Sequence, residues 1–259
     1  MKRYGYLVVE GPHDIEFAAR LLREYGLRRI TYKRYLDPFW EAVIPKIFPI
    51  NDNLLKRVPV PVFLENETHS IAIHGAQGIT RLVEMLDETC AVLNHNQIAS
   101  YGFILDADVE HPPQQRFSSL LVELKKQDID LPIPANPGEV AGTHPSFGIY
   151  VLPDNQASGT LEDILLQCAQ VNYTSVFDAA RNYLQEIEPS QFTPGDLQEY
   201  NKPAGQKKAH VSTIASILKP GKAIQVSIQD NRWLEGESMI IPSVAAVRDF
   251  LVKLFELKK

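Results

Sequence analysis

The sequence predicts an α/β fold: a mostly parallel four-stranded sheet flanked by helices, with an ordered insertion and a helical C-terminal extension. Three observations carry that expectation. Four short apolar runs alternate with stretches of helical period over the first two-thirds of the chain, the pattern of strands joined by right-handed helical crossovers. The runs are apolar throughout, as strands buried on both faces are. Acidic residues follow three of the four runs, two of them directly and the third after one proline, and the carboxyl ends of parallel strands are where open sheets bind ligands.

The first run, Tyr4–Val9, stops at Glu10-Gly11-Pro12. A helix is expected over Asp14–Tyr25, with Ile15, Phe17, Ala18, Leu21, Leu22 and Tyr25 on one broad face. Pro12 suits its first turn. Residues 31–68 hold Pro38, Pro45, Pro49, Pro59 and Pro61, too many prolines for long helices. Their aromatics Phe39, Trp40, Phe48 and Phe63 predict an ordered insertion packed on the main body. The second run is Ser70–His74, closed by Gly75 and Gly78, and a helix follows over Ile79–Leu93. The third is Tyr101–Leu105, running into Asp106-Ala107-Asp108, with a helix near Arg116–Lys126. The fourth is Phe147–Leu152, ending at Pro153-Asp154-Asn155. A helix from about Thr160 carries Leu161, Ile164, Leu165 and Cys168 inward, capped by Thr160 or Ser158. Past residue 172 the patterns are amphipathic: Val176–Ile187, Lys208–Leu218 and Val244–Leu257, with Ala223–Ile228 as an edge strand. No repeat or linker separates them. The expected organisation is a core over 1–172 and an extension over 173–259 packed on it.

With 259 residues, 44% hydrophobic and 22% charged, the chain has globular composition. Collagen-like and wholly disordered classes are excluded. No segment approaches the ~20 apolar residues of a membrane span, and the opening MKRYGYLVVEG lacks the apolar stretch of a signal peptide. No membrane role is expected. Cys90 and Cys168 are too few for a disulfide framework, which suits a reducing cytoplasm. Net charge is −6, whereas proteins that grip nucleic acid through a bare surface are usually basic. Contact with nucleic acid therefore needs a local patch or a bound metal. Residues 20–34 supply Arg20, Arg23, Arg28, Arg29, Lys33 and Arg34 against Glu24 alone, and they read equally well as a solvated helix end.

The acids carry the chemistry. Glu10 and Asp14 follow the first run, Asp106 and Asp108 the third, and Asp154, Glu162 and Asp163 the fourth. In extended chain Asp106 and Asp108 project to one face. Caps and turns also favour such acids singly, but the order across successive strand ends is harder to ascribe to chance. Clustered carboxylates repel, and a divalent cation relieves them. Oxygen donors suit Mg2+ or Mn2+, which assist displacement at phosphorus. Lys207 and Lys208 are candidates to offset charge in the transition state.

Glu10 in VVEGPHD and the Asp-x-Asp of FILDADVE, with FWEAVIP, GIYVLPDNQASGTLEDIL and the later KKAH, resemble the TOPRIM fold. Topoisomerases, bacterial primases, recombination-repair proteins and OLD-family nucleases share it. The likeness is greatest to small stand-alone TOPRIM-like proteins related to the OLD nucleases, and it spans nearly the whole chain. It implies a Mg2+ site and phosphodiester chemistry. Glu10 matches the TOPRIM glutamate, a metal ligand or general acid/base. Asp106 and Asp108 match the Asp-x-Asp ligands, and Asp14 the second acid of the first OLD motif. Glu162 or Asp163 matches the later acidic motif, and Lys207 or Lys208 the late lysine. Val109-Glu110-His111 departs from the topoisomerase subtype, which often carries a third Asp and a Gly there.

No P-loop, zinc module, serine elbow or dinucleotide fingerprint occurs in the chain. Any ATPase acting with it is a separate partner. His69 and His74 are expected to pack, as are Trp40 and Trp233. His13 and His111 lie beside the acids and could move protons. The leading expectation is a metal-dependent nuclease-like hydrolase acting on DNA or RNA. The alternative is a non-catalytic or regulatory TOPRIM-like module of a larger complex. A small-substrate phosphatase is a minor third. Strand preference, oligomeric state and pathway stay open.

Overall fold

The computed structural model describes residues 2–45, 60–108 and 110–258. Its strands are β1 (Arg3–Val9), β2 (Arg28–Arg29), β3 (Val62–Glu65), β4 (His69–Gly75), β5 (Ile98–Asp106), β6 (Val140–Ala141) and β7 (Ser146–Leu152). They form one sheet in the order β2-β3-β4-β1-β5-β7-β6. The four expected strands are its parallel centre, β4-β1-β5-β7. The expected count of four is corrected to a seven-stranded sheet among the described residues. β2, β3 and β6 add antiparallel edges. They are two to four residues long, too short to carry a period, and β3 lies inside the proline-rich insertion.

The helices are α1 (Pro12–Leu22), α2 (Leu82–Val92), α3 (Pro113–Lys126), α4 (Leu161–Asn172), α5 (Thr174–Gln185), α6 (Pro194–Tyr200), α7 (Gly205–Leu218), α8 (Ile224–Asp230) and α9 (Pro242–Phe255). Ala223–Ile228 is therefore not an edge strand. Ile224, Ser227 and Ile228 fall on one helical face, which packs against α1, and Ser227 Oγ accepts a 2.9 Å bond from Trp233 Nε1.

Side chains alternate across the central strands. Leu7, Val9, Ile73, Ile104 and Leu152 join Phe17, Leu21, Ile164 and Leu254 in one apolar layer with α1, α4 and α9. Tyr6, Val8, Phe103, Ile149 and Val151 join Trp40, Leu86, Phe117 and Leu120 in the other, with α2 and α3. The runs are continuous because both faces are covered.

The last helix belongs to this core. α9 crosses the sheet where it has no side chains. A Cβ at Gly102 would lie 2.4 Å from Leu254 Cδ2, and one at Gly148 2.7 Å from Phe250 Cε2. The carbonyls at the end of α9 lack helical partners and find them in the sheet. Ser146 Oγ donates to Leu254 O at 2.9 Å, and His69 Nε2 lies 2.9 Å from Phe255 O.

Of the insertion, residues 46–59 lie outside the described residues. The described part packs as expected. Trp40 is fully buried on a short helical turn, Pro38–Val43, and its Nε1 donates to Ser70 Oγ at 2.8 Å. Trp233 is also buried. His69 and His74 are both buried, His74 Nδ1 lying 2.7 Å from Tyr6 OH. Cys90 and Cys168 are free thiols. The basic run is only partly a solvated face: Arg20 is buried against Glu235 at 2.6 Å, and Arg29 pairs with Glu16 at 2.6 Å. No helix of the described residues is long and apolar enough to cross a membrane.

Candidate functional site

The chain leaves β1 toward β4 and leaves β5 toward β7, although β1 and β5 are neighbours. Their connections diverge, which opens a crevice at the carboxyl ends of these two strands. Glu10 follows β1, Asp106 ends β5, and the two meet there: Asp106 N–H donates to Glu10 Oε1 at 2.7 Å.

Two further segments close on this point. Glycine at position 11 starts α1, and its N–H donates to Asp14 Oδ2 at 2.9 Å. After β7 the chain turns through Asp154, whose Oδ1 accepts the N–H groups of Gln156 and Ala157. Asp154 is thus a turn residue. Gly159 then bridges to Ala107, its N–H donating to Ala107 O at 2.9 Å. That bridge sets the start of α4 against β5, so Leu161 N–H donates to Asp106 Oδ1 at 2.8 Å. An unpaired amide at a helix start is a natural carboxylate partner.

The electrostatics tie Glu10, Asp14, Asp106 and Glu162 into one group. Burial pushes the Asp14 carboxyl up to about 7, and the charges of Glu10 and Glu162 add to it. Burial raises Asp106 well above the carboxylate range, reinforced by Asp14, Glu10 and Glu162. Burial also raises Glu10, opposed by the Asp106 amide and by the positive charges of Arg116 and Lys208. Glu162 is 6% exposed, and its Oε2 is buried with no hydrogen-bond partner. His13 faces the same group. Burial lowers its pKa, the Glu162 charge opposes that, and Lys208 adds to it.

The other expected acids have different partners. Asp106 and Asp108 both reach Glu10, Asp106 through its N–H and Asp108 through its charge, which adds to the rise of the Glu10 carboxyl, but their side chains have different partners. Asp108 is bound by Arg116, and its Oδ1 accepts from His111 N–H at 2.7 Å. Slight desolvation raises its pKa, but His111 and Arg116 outweigh this and hold it low. Asp163 accepts the Thr160 N–H at 2.9 Å and pairs with Lys207 at 2.6 Å. Thr160, not Ser158, is therefore the cap of α4. Glu162 and Lys208 act on the buried acids, whereas Asp163 and Lys207 are spent on each other.

Arg116 was not among the expected site residues. It stands in the first turn of α3, pairs with Asp108 and acts on Glu10 through its charge. A cation eight residues past an Asp-x-Asp carries no signal of its own, because the fold of the intervening loop decides where it points.

Glu10, Asp14, Asp106 and Glu162 fit a hard divalent cation. Their donors are all oxygen, the buried like charges call for neutralisation, and Glu162 Oε2 has no partner. Among the described residues, no group of three or more His, Cys, Asp or Glu side chains stands gathered tightly enough to hold a metal as it is. Glu10, Asp14 and Asp106 each turn an oxygen to a backbone N–H instead.

A family model described as Protein of unknown function (DUF3226) matches residues 4–256. The crystal structure of hypothetical protein PH0156 from Pyrococcus horikoshii OT3 is similar, with a TM-score of 0.53 and 19% identity over 97% of this chain and 95% of that one. At that identity the likeness speaks for the fold alone. No curated protein matches the chain. The chain belongs to the DUF3226 family.

Proposed function

We propose that this DUF3226 chain is a Mg2+- or Mn2+-dependent hydrolase that cleaves phosphodiester bonds in nucleic acid. One observation carries the reading: Glu10, Asp14, Asp106 and Glu162 are drawn from three chain segments into one desolvated group at the β1/β5 crevice. Ionised, such a group destabilises a fold unless a cation neutralises it. The TOPRIM-like motifs support the same reading.

In this reading Glu10, Asp14, Asp106 and Glu162 hold the ion. When bound, it lowers the pKa of water and polarises phosphate oxygens. Glu10, whose carboxyl burial raises from its ordinary value, is the candidate general acid or base. Lys208 and Arg116 bring positive charge to the phosphate. His13, held neutral by its burial, is a second proton carrier. A separate ATPase partner belongs to the same reading.

The test is Mn2+ binding by electron paramagnetic resonance, on wild type and on Asp106→Asn/Glu162→Gln, followed by cleavage assays on DNA and RNA. Binding and cleavage by wild type, both lost in the double variant, support the reading. Equal Mn2+ binding by the two proteins sinks it. A regulatory module that binds without cleaving is the second reading. The observation in its favour is Asp108, engaged by Arg116 and His111. Mn2+ binding without cleavage of any nucleic acid would select it.

A further inference from the structure

Lys208 stands between two places. Its charge acts on Glu10 and His13 in the acid crevice. It also lines a groove of about 510 Å3 between α6 and the start of α7, whose walls include Phe192, Asp196, Glu199, Tyr200 and Lys202. The neighbouring Lys207 pairs with Asp163 at 2.6 Å, which sets the start of α7, and with it this groove, beside the start of α4 at the crevice.

The walls of the groove differ in how far they are committed. Asp196 caps α6, accepting the Thr193 N–H at 3.1 Å and its hydroxyl at 2.6 Å. Glu199 and Lys202 pair at 2.6 Å. Lys208 makes no ion pair among the described residues. Phe192 and Tyr200 belong to neither apolar layer of the sheet. Their rings meet edge to face, centroids 5.5 Å apart at 86°, and both residues are half-buried where they line the groove. The groove thus offers aromatic side chains, a lysine without an ion pair among the described residues, and two acids with partners of their own, Asp196 bonded to Thr193 and Glu199 paired with Lys202. Its volume lies within the usual range for a small-ligand site.

We infer that this groove binds an unpaired nucleobase, with the phosphate of the same strand held by Lys208 at the acid crevice. A planar aromatic ligand with an attached anion matches aromatic side chains beside such a lysine. A base stacked in the groove exposes a face that a neighbouring base would cover in a duplex. The substrate is therefore a single strand or an unpaired end. This rests on the nuclease reading above and names its substrate class.

The experiment measures binding of a fluorescent oligothymidylate, and of a blunt duplex of equal length, by anisotropy in EDTA. It compares full-length wild type with Phe192→Ala, Tyr200→Ala and Tyr200→Phe, each checked for an unchanged melting temperature. Each alanine variant is expected to bind the single strand about tenfold more weakly (about 1.4 kcal/mol). Tyr200→Phe, which keeps the ring, stays within twofold of wild type, and duplex binding changes less than twofold throughout. Single-strand binding by the alanine variants within twofold of wild type overturns the inference, and so does equal loss on the duplex. Glu162→Gln separates the two ideas. If it ends cleavage while the alanine variants bind normally, the base site falls and the nuclease reading stands. If the alanine variants lose binding but wild type cleaves nothing, the base site stands and cleavage falls.

Discussion

Asp14→Asn tests the buried acids without any substrate. Asp14 is enclosed, and its carboxyl is pushed up to about 7 from the ordinary 3.8. The folded chain thus holds this proton more tightly than the unfolded chain does. The associated stability is fully present below pH 4 and is lost as pH rises through 7. At about 1.4 kcal/mol for each tenfold change in proton affinity, the ionised carboxyl costs roughly 4 kcal/mol at pH 8. Asparagine cannot ionise, and its carbonyl oxygen can still accept the Gly11 N–H. Its amide adds a buried donor, a cost of about 1–3 kcal/mol at either pH. The difference between pH values is therefore the informative quantity. Urea unfolding in EDTA at pH 4 and pH 8 should show the variant gaining roughly 4 kcal/mol on wild type between the two. Millimolar Mg2+ at pH 8 should close part of that gap by stabilising wild type. A stability difference that is the same at both pH values, within about 1 kcal/mol, would refute the reasoning.

Two further outcomes follow from the packing and the charges. Gly148→Ala places a Cβ 2.7 Å from the Phe250 ring and 3.0 Å from Glu139 O, and overpacking of this kind should lower unfolding stability by about 1–3 kcal/mol, read by urea titration. Lys207→Ala and Lys208→Ala should separate in a cleavage assay: loss of the half-buried Lys207–Asp163 pair leaves the rate within about threefold, worth under 1 kcal/mol, whereas loss of Lys208 lowers it at least about tenfold.

The parallel centre of the sheet was legible because its strands are apolar on both faces, a pattern that does not depend on what covers them. The edges were not. β2 and β6 are two residues long, and pairing alone makes them strands. Ala223–Ile228 was ambiguous in the residues themselves. Ile224, Val226 and Ile228 alternate, yet Ile224, Ser227 and Ile228 also share a helical face. With both edges of the parallel centre already covered by β3 and β6, packing against α1 favours the helix. The acids were legible from their places at strand ends. Choosing between Glu162 and Asp163, or Lys207 and Lys208, required the rotation of α4 and α7. Neighbours on a helix point about 100° apart, and that rotation is set by distant apolar contacts. The Thr160–Asp163 pairing did carry a local clue, since a residue spent on a cap is less free for a ligand.

The meeting of α9 with Gly5, Gly102 and Gly148 bears on how the chain is made. β1 is synthesised first and lies at the middle of the sheet. Phe255, which covers Gly5, is added some 250 residues later, about 12–50 s at ribosomal speed. Until then α1 and α4 cover that side only in part, and the strip over Gly5, Gly102 and Gly148 is open to other nascent chains. A ribosome stalled before residue 242 would hold a strand-rich intermediate with a sticky face, a natural client for chaperones that recognise exposed apolar sheet.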